Sequence, residues 1–179
     1  MPERLAEQLR AVAAAAPCTP EVRARFFERI EQGRLTHDED GVTHFCVYFL
    51  PYNPATKQVF IVHHKKSGLW ISPGGHVDRG ETLHETLERE MFEELRVSGE
   101  VAGLDKPFLL TITEIDNPPQ PCRRHFDVWY PVPTDGTAFT VDMEEFHETR
   151  WLSVAGAREL VTDPNNLTAL DALGRQLSS

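Results

Sequence analysis

Apolar positions along the chain keep two rhythms. Up to residue 31 they recur every three or four residues: Leu5, Leu9 and Val12, then Val22, Phe26, Phe27 and Ile30. That is the spacing of one helix face. Thr19-Pro20, between the two runs, offers a capping hydroxyl and a proline suited to a first helical position. The pattern predicts one helix over residues 2–16 and a second beginning at Pro20. Beyond the polar loop His37–Gly41 come runs rich in β-branched and aromatic residues, predicted as strands near 42–50 and 57–65. Pro51-Tyr52-Asn53-Pro54 reads as the turn between them. A short strand at Leu69-Trp70-Ile71 feeds Pro73-Gly74-Gly75. Further strands are expected near 107–115 and 124–132, split by Asn117–Pro121, and one ending at Arg150-Trp151-Leu152. Helices near 154–162 and 165–177 close the chain, the last capped through Asp163-Pro164.

Helices before, between and after mixed strands predict a three-layer α/β/α sandwich with a mixed β-sheet. No internal repeat or low-complexity linker interrupts it. Residues 1–35 form an N-terminal helical extension and residues 36–179 the main domain. Packing on the core is the plainer role of the extension. A lid or a homodimer contact is the other, and the sequence does not choose.

The helix after Gly75 carries the most chemical information. Leu83, Leu87, Met91 and Leu95 form an i, i+4 stripe, and Glu90, Glu93 and Glu94 crowd within a third of the circumference. Like charges at this spacing repel, so something must hold them together. A divalent cation with oxygen ligands does so, and magnesium shared with substrate phosphates fits best. Glu94 shares the angle of Leu83 and Leu87, which predicts a buried carboxylate, costly unless paired or metal-bound. Arg89 stands one residue before Glu90 and four before Glu93, placed to neutralise an acid. The plain alternative is a solvated acidic face with an ordinary Glu85–Arg89 pair.

The spacing Gly75, five residues, Glu81, seven residues, Arg89-Glu90, then Glu93-Glu94, with Met91 and Val97 at apolar positions, resembles the signature of the Nudix hydrolases. At ordinary residue frequencies six such matches arise by chance roughly once in 10⁵ sequences, which disfavours the solvated-face reading. The resemblance implies a mixed sheet between helices, Mg2+ (with Mn2+ as a substitute) and hydrolysis of a pyrophosphate bond. It implies Glu90 and Glu94 as the surest metal ligands, Glu93 as a less certain one, and Gly75 through its backbone carbonyl. It implies Arg89 as the group that holds a glutamate in place. Glu81 suits either a helix cap or an ion pair to Arg89. In some relatives the base is a glutamate of the motif. In others it lies on a loop before a strand ending in tryptophan, where Glu145, six residues before Trp151, is best placed and Glu144 next.

One position departs from the pattern. Arg96 stands where the family has glycine, so the helix runs a turn further towards Gly99 or ends in a strained cap.

The remaining composition narrows the partners. A net charge of −10 argues against a nucleic-acid polymer or an anionic membrane and suits a small phosphorylated compound met by cations, which the resemblance implies is a nucleotide. Cys18, Cys46 and Cys122 are isolated, without metal-ligand spacing, and read as reduced thiols in a cytoplasmic setting. No run reaches the ~18 apolar residues of a membrane span. His63 and His64, adjacent on one strand, project to opposite faces. His76 and His84 fall at variable positions of the motif. His125, Phe126, Trp129 and Tyr130 could border a leaving group, though aromatic strand residues are more often core. Arg123, Arg124, Lys65 and Lys66 could meet phosphates.

The expected reaction is hydrolysis of a nucleoside diphosphate linked to another group, first a nucleoside triphosphate, second ADP-ribose or another sugar nucleotide. The rivals are isopentenyl diphosphate isomerisation, which needs a catalytic cysteine paired with a glutamate, and a non-catalytic ligand-sensing regulatory domain.

Overall fold

The computed structural model describes residues 2–98, 104 and 106–178; Gly99 lies outside them. Two helices come first, α1 (Pro2–Ala15) and α2 (Pro20–Glu31). Thr19 caps α2, accepting from the Val22 amide at 3.2 Å, with Pro20 in the first turn. The strands are β1 (Thr43–Asn53), β2 (Gln58–His64), β3 (Trp70–Ile71) and β4 (Gly74–His76). After α3 (Leu83–Leu95) come β5 (Leu109–Glu114), β6 (Arg124–Pro133), β7 (Phe146–Ser153), α4 (Val154–Leu160) and α5 (Pro164–Leu177). Asp163 caps α5 by accepting from the Asn166 amide.

The sheet order is β3-β2-β1-β6-β5, with β4 added on β1 and β7 on β2. β1 and β6 run parallel and the other pairs antiparallel, so the sheet is mixed. Alternation along the strands builds a core on each face. Phe45, Val47 and Phe49 join Leu83, Leu87 and Met91 of α3 and Phe26 and Ile30 of α2. On the other face Leu50, Val59 and Ile61 meet Ala157, Leu170 and Leu173 of α4 and α5.

The turn expected at Pro51–Pro54 falls later. β1 continues through Pro51 to Asn53. Proline is tolerated there because, on the side away from β6, Pro51 falls between the β4 pairing at Cys46–Tyr48 and the β2 pairing at Tyr52–Asn53. No ladder donor is required of it. Asn53 then caps the turn through the Ala55 and Thr56 amides.

The N-terminal helices share the core of the domain. Leu5, Leu9, Phe26 and Ile30 are buried in it. The Leu110 amide donates to Pro17 O at 2.9 Å, and Gln8 Oε1 accepts from the Leu83 amide at 2.8 Å, filling one of the open donors at the start of α3.

Candidate active site

Two glycines bring the loop before α3 close to its neighbours. Gly74 has φ +142°, and a Cβ there would strike Val47 O and lie 2.7 Å from Tyr48 Cα. Gly75 pairs with Val47 across β1 and β4, and a Cβ on it would enter the carboxylate of Glu90. Asn166 of α5 accepts from the Ser72 amide at 2.7 Å, fixing the approach to this loop.

α3 opens on Thr82, which forms a capping box with Glu85. Glu85 is therefore engaged with the cap, and the simple Glu85–Arg89 pair does not form. Leu83, Leu87, Met91 and Leu95 are buried, contributing about 1.5–3 kcal/mol each. That total exceeds what it costs to carry one carboxyl group inward in its neutral form, and Glu94 comes with them at 3% exposure.

Arg89 gathers the acids. Its Nε and Nη2 donate to the two oxygens of Glu81 at 2.7 and 3.0 Å, a bidentate pair. Nη1 donates to Glu90 at 2.7 Å and to Glu93 at 3.2 Å, and Nη2 also donates to His76 O at 2.8 Å. Glu81 is thus an ion-pair partner, with Thr82 doing the capping. Burial works against the charge of Arg89, yet the Glu81 hydrogen bonds and the Glu90 charge hold its pKa above the usual guanidinium value.

Burial pushes Glu90 up to about 7, against the pull of Arg89. Glu94 is held well above the usual carboxylate range by burial first, then by the charges of Glu90 and Glu145; a backbone hydrogen bond from Gly74 opposes them. Glu94 Oε2 is buried without a hydrogen-bond partner. Such an orphan costs about 1–3 kcal/mol and suits an oxygen waiting for a cation. The donor set, carboxylates from one helix beside a glycine backbone, fits a hard divalent ion.

These groups line a cavity of about 700 Å³ that also receives Glu93 and Glu145. Glu144 does not line it. The loop carrying Glu145 hangs from the end of α3: the Thr140 amide donates to Leu95 O and the Asp142 amide to Glu94 O, both at 2.8 Å. α3 stops at Arg96, a left-handed cap with φ +56° and ψ +28°, so of the two endings the strained cap is the one adopted. Arg96 pairs with Asp142 at 3.3 Å.

Of the basic residues weighed, Lys66 lines the cavity. Lys65 donates to Met143 O, Arg123 to Gln120 O, and Arg124 pairs with Glu114. His125 and Trp129 reach the cavity, whereas Phe126 and Tyr130 point into the opposite core. Tyr48, not foreseen, stacks on Trp129 with centroids 4.8 Å apart. His63 stacks on Trp70, and His64 reaches Ser67. No residue of α1 or α2 lines the cavity among the described residues, and both helices pack on the core of the domain.

The three cysteines are free thiols, as read from the sequence, but Cys46 and Cys122 are not isolated in space. Cys46 and Cys122 are buried, and Cys122 Sγ lies 3.9 Å from Nε2 of both His44 and His76. Linear spacing missed this because neighbouring strands, not one segment, supply the residues. No helix among the described residues is long and apolar enough to cross a membrane.

Solved structures share this fold. No curated protein sequence matches significantly. Among solved structures, the Escherichia coli dihydroneopterin triphosphate pyrophosphohydrolase is similar at TM-score 0.55 and 19% identity, covering 74% of this chain and 95% of that one. A Caenorhabditis elegans Ap4A hydrolase aligns at 0.57 and 16%, covering 75% and 97%. The NUDIX domain of Shewanella oneidensis NrtR, complexed with ADP ribose, aligns at 0.55 and 17%, covering 74% and 87%. At these identities the likeness shows the fold. The NUDIX domain family model matches residues 42–172, and the chain belongs to the Nudix family.

Proposed function

We propose that this protein is a magnesium-dependent hydrolase of the pyrophosphate bond in a nucleoside diphosphate linked to another group, first of all a nucleoside triphosphate. The observation that carries the reading is the unpartnered, buried oxygen of Glu94 beside Glu90, Glu93 and Glu145 at one cavity. A lone buried carboxylate is costly; one shared with a cation is useful. Residues 1–35 serve as an extension docked on a hydrolase domain spanning 36–179, in a reducing, cytoplasm-like compartment.

Glu90, Glu93, Glu94 and the Gly75 carbonyl would hold Mg2+, with Mn2+ as a substitute. The ion would neutralise phosphate charge and lower the pKa of bound water. Arg89, fixed by Glu81, keeps the Glu90 and Glu93 carboxylates aimed and does not meet substrate. Glu145 accepts the proton of the attacking water. Lys66 meets the phosphates from the cavity wall, and the Tyr48–Trp129 stack offers a surface for the leaving group. A sugar nucleotide such as ADP-ribose is the alternative substrate, since an aromatic wall serves a base on either side of the diphosphate. A ligand-sensing domain is the non-enzymatic alternative. Full retention of the motif carboxylates weighs against it, and Arg96 is the departure that favours it.

The test is turnover of nucleoside triphosphates, sugar nucleotides and dinucleoside polyphosphates, with and without magnesium, for the wild type and Glu94→Gln. Magnesium-dependent release on one class, reduced by orders of magnitude in the variant, supports the hydrolase. A flat panel with tight binding of a nucleotide that Glu94→Gln retains would favour the sensor.

A further inference from the structure

Four side chains that the hydrolase reading does not use come together on one face of the sheet. His44 and Cys46 stand two apart on β1 and so share a face. His44 is in register with His125 on the parallel strand β6, and Cys46 with His76 on the antiparallel strand β4. Three neighbouring strands thus deliver three imidazoles and a thiol to one point. One donor atom from each lies within 4.8 Å of all the others.

His44 is tethered as a ligand would be. His44 Nδ1 lies 2.7 Å from Asp40 O. A carbonyl can only accept, so Nδ1 carries the proton and Nε2 presents its lone pair. This is the backbone tether usual for a metal-bound histidine. Nε2 of His44 and Nε2 of His76 converge on the same sulfur, that of Cys122. His125 is 8% exposed, and its Nε2 is buried with no hydrogen-bond partner. Ring packing among His44, His76 and His125, with centroids 4.6–5.0 Å apart, accounts for their proximity but leaves the His125 nitrogen unsatisfied.

We infer that His44, His76, His125 and Cys46 form a second metal site, distinct from the carboxylates of α3, that takes a tetrahedral transition-metal ion, zinc above all. Three nitrogens and one sulfur are borderline-soft donors that magnesium and calcium avoid. A tetrahedral zinc centre, with bonds of about 2.0–2.1 Å to nitrogen and 2.3 Å to sulfur, sets its donors roughly 3.3–3.6 Å apart. Closing from the present spacing asks about an ångström of side-chain movement. Cys122 touches two of the imidazoles but is not among the four mutually close donors. Without metal, burial holds the Cys46 thiol protonated; zinc uptake forms the zinc–sulfur bond and releases that proton to solvent. His76 and His125 also border the cavity, so a closed zinc centre would stiffen the wall shared with the α3 site. This inference does not depend on the hydrolase reading.

The experiment is a Co2+ titration of the full chain, stripped with a chelator and held in saturating Mg2+ to keep cobalt off the carboxylates. One equivalent should produce a thiolate-to-cobalt charge-transfer band and intense tetrahedral ligand-field bands, both lost on adding Zn2+. Cys46→Ser should remove the charge-transfer band, whereas Cys122→Ser and Glu94→Gln should keep it. Absence of these bands in the wild type would overturn the site without any variant having to fold. A charge-transfer band surviving in a folded Cys46→Ser protein would overturn this ligand set.

Discussion

A Cβ built on Gly75 lies 2.5 Å from Glu90 Cδ and within 2.9 Å of both its oxygens. The strand residue and the helix carboxylate therefore occupy adjoining space with nothing between them. Gly75→Ala must displace the Glu90 carboxylate, not the backbone, because the side chain is the softer partner. A displacement of about an ångström at reacting groups costs about 10²-fold in rate. Turnover of Gly75→Ala should fall by that order, with the thermal melt close to wild type. Unchanged kcat would remove Glu90 from the working site.

Glu145 reaches the cavity from outside α3. If it takes the proton from water, Glu145→Gln lowers kcat by about 100-fold or more and leaves KM nearly unchanged. Pre-steady-state and steady-state rates across pH check this. A kcat close to wild type would move the role to one of the α3 glutamates.

With metals removed by a chelator, the stability that Glu90 and Glu94 contribute should fall as pH rises. Burial raises Glu90 from 4.5 to about 7 and holds Glu94 well above its usual range. At these two sites the folded chain then holds protons that the unfolded chain has released. Their contribution is greatest below the unfolded value near 4.5 and is lost as pH rises through about 7. Buried histidines act with the opposite sign over part of this window, so the check is the difference in urea midpoint between wild type and the Glu90→Gln/Glu94→Gln double variant. That difference should decline with pH without metal, and saturating Mg2+ should reduce the decline by favouring the ionised form. A metal-free difference that rises over this window would contradict the buried-acid description.

Arg96 pays for a backbone geometry that glycine adopts freely. A left-handed non-glycine residue costs about 1–2 kcal/mol. The exposed Arg96–Asp142 pair, at 48% and 22% side-chain exposure, returns at most about 1 kcal/mol. At high salt, where that pair is screened, Arg96→Gly should stabilise the protein by ~1 kcal/mol, or about 2–4 °C in Tm. A lower Tm at high salt would mean that the stacking of Arg96 over Phe92 at 5.6 Å outweighs the strain.

Local chemistry made much of this molecule readable in advance. The α3 stripe and the burial of Glu94 follow from one angular argument, because helix geometry is fixed within a few residues. The caps at Thr19 and Asp163 follow from side-chain hydroxyl and carboxylate chemistry beside a proline. What stayed hidden depends on long-range pairing. Pro51 looks like a turn until β6 is known to pair on one side and nothing on the other. The short strand β4 looks like part of a loop until β1 is laid beside it. Cys46 has only His44 near it in the sequence; His76, its partner on β4, and His125, the partner of His44 on β6, lie 30 and 79 positions from Cys46, and only strand register assembles them.

The two hydrogen bonds that suspend the Glu145 loop from Glu94 O and Leu95 O are made entirely by main chain. Such links do not depend on which side chains the loop carries. Apart from Asp142, whose carboxylate meets Arg96 and the Glu144 amide, residues 140–144 can therefore drift in sequence while Glu145 keeps its distance from the helix that carries the other acids. The position of the candidate base is a property of the backbone, so that variation on the outer side of this loop leaves the acids of the cavity where they stand.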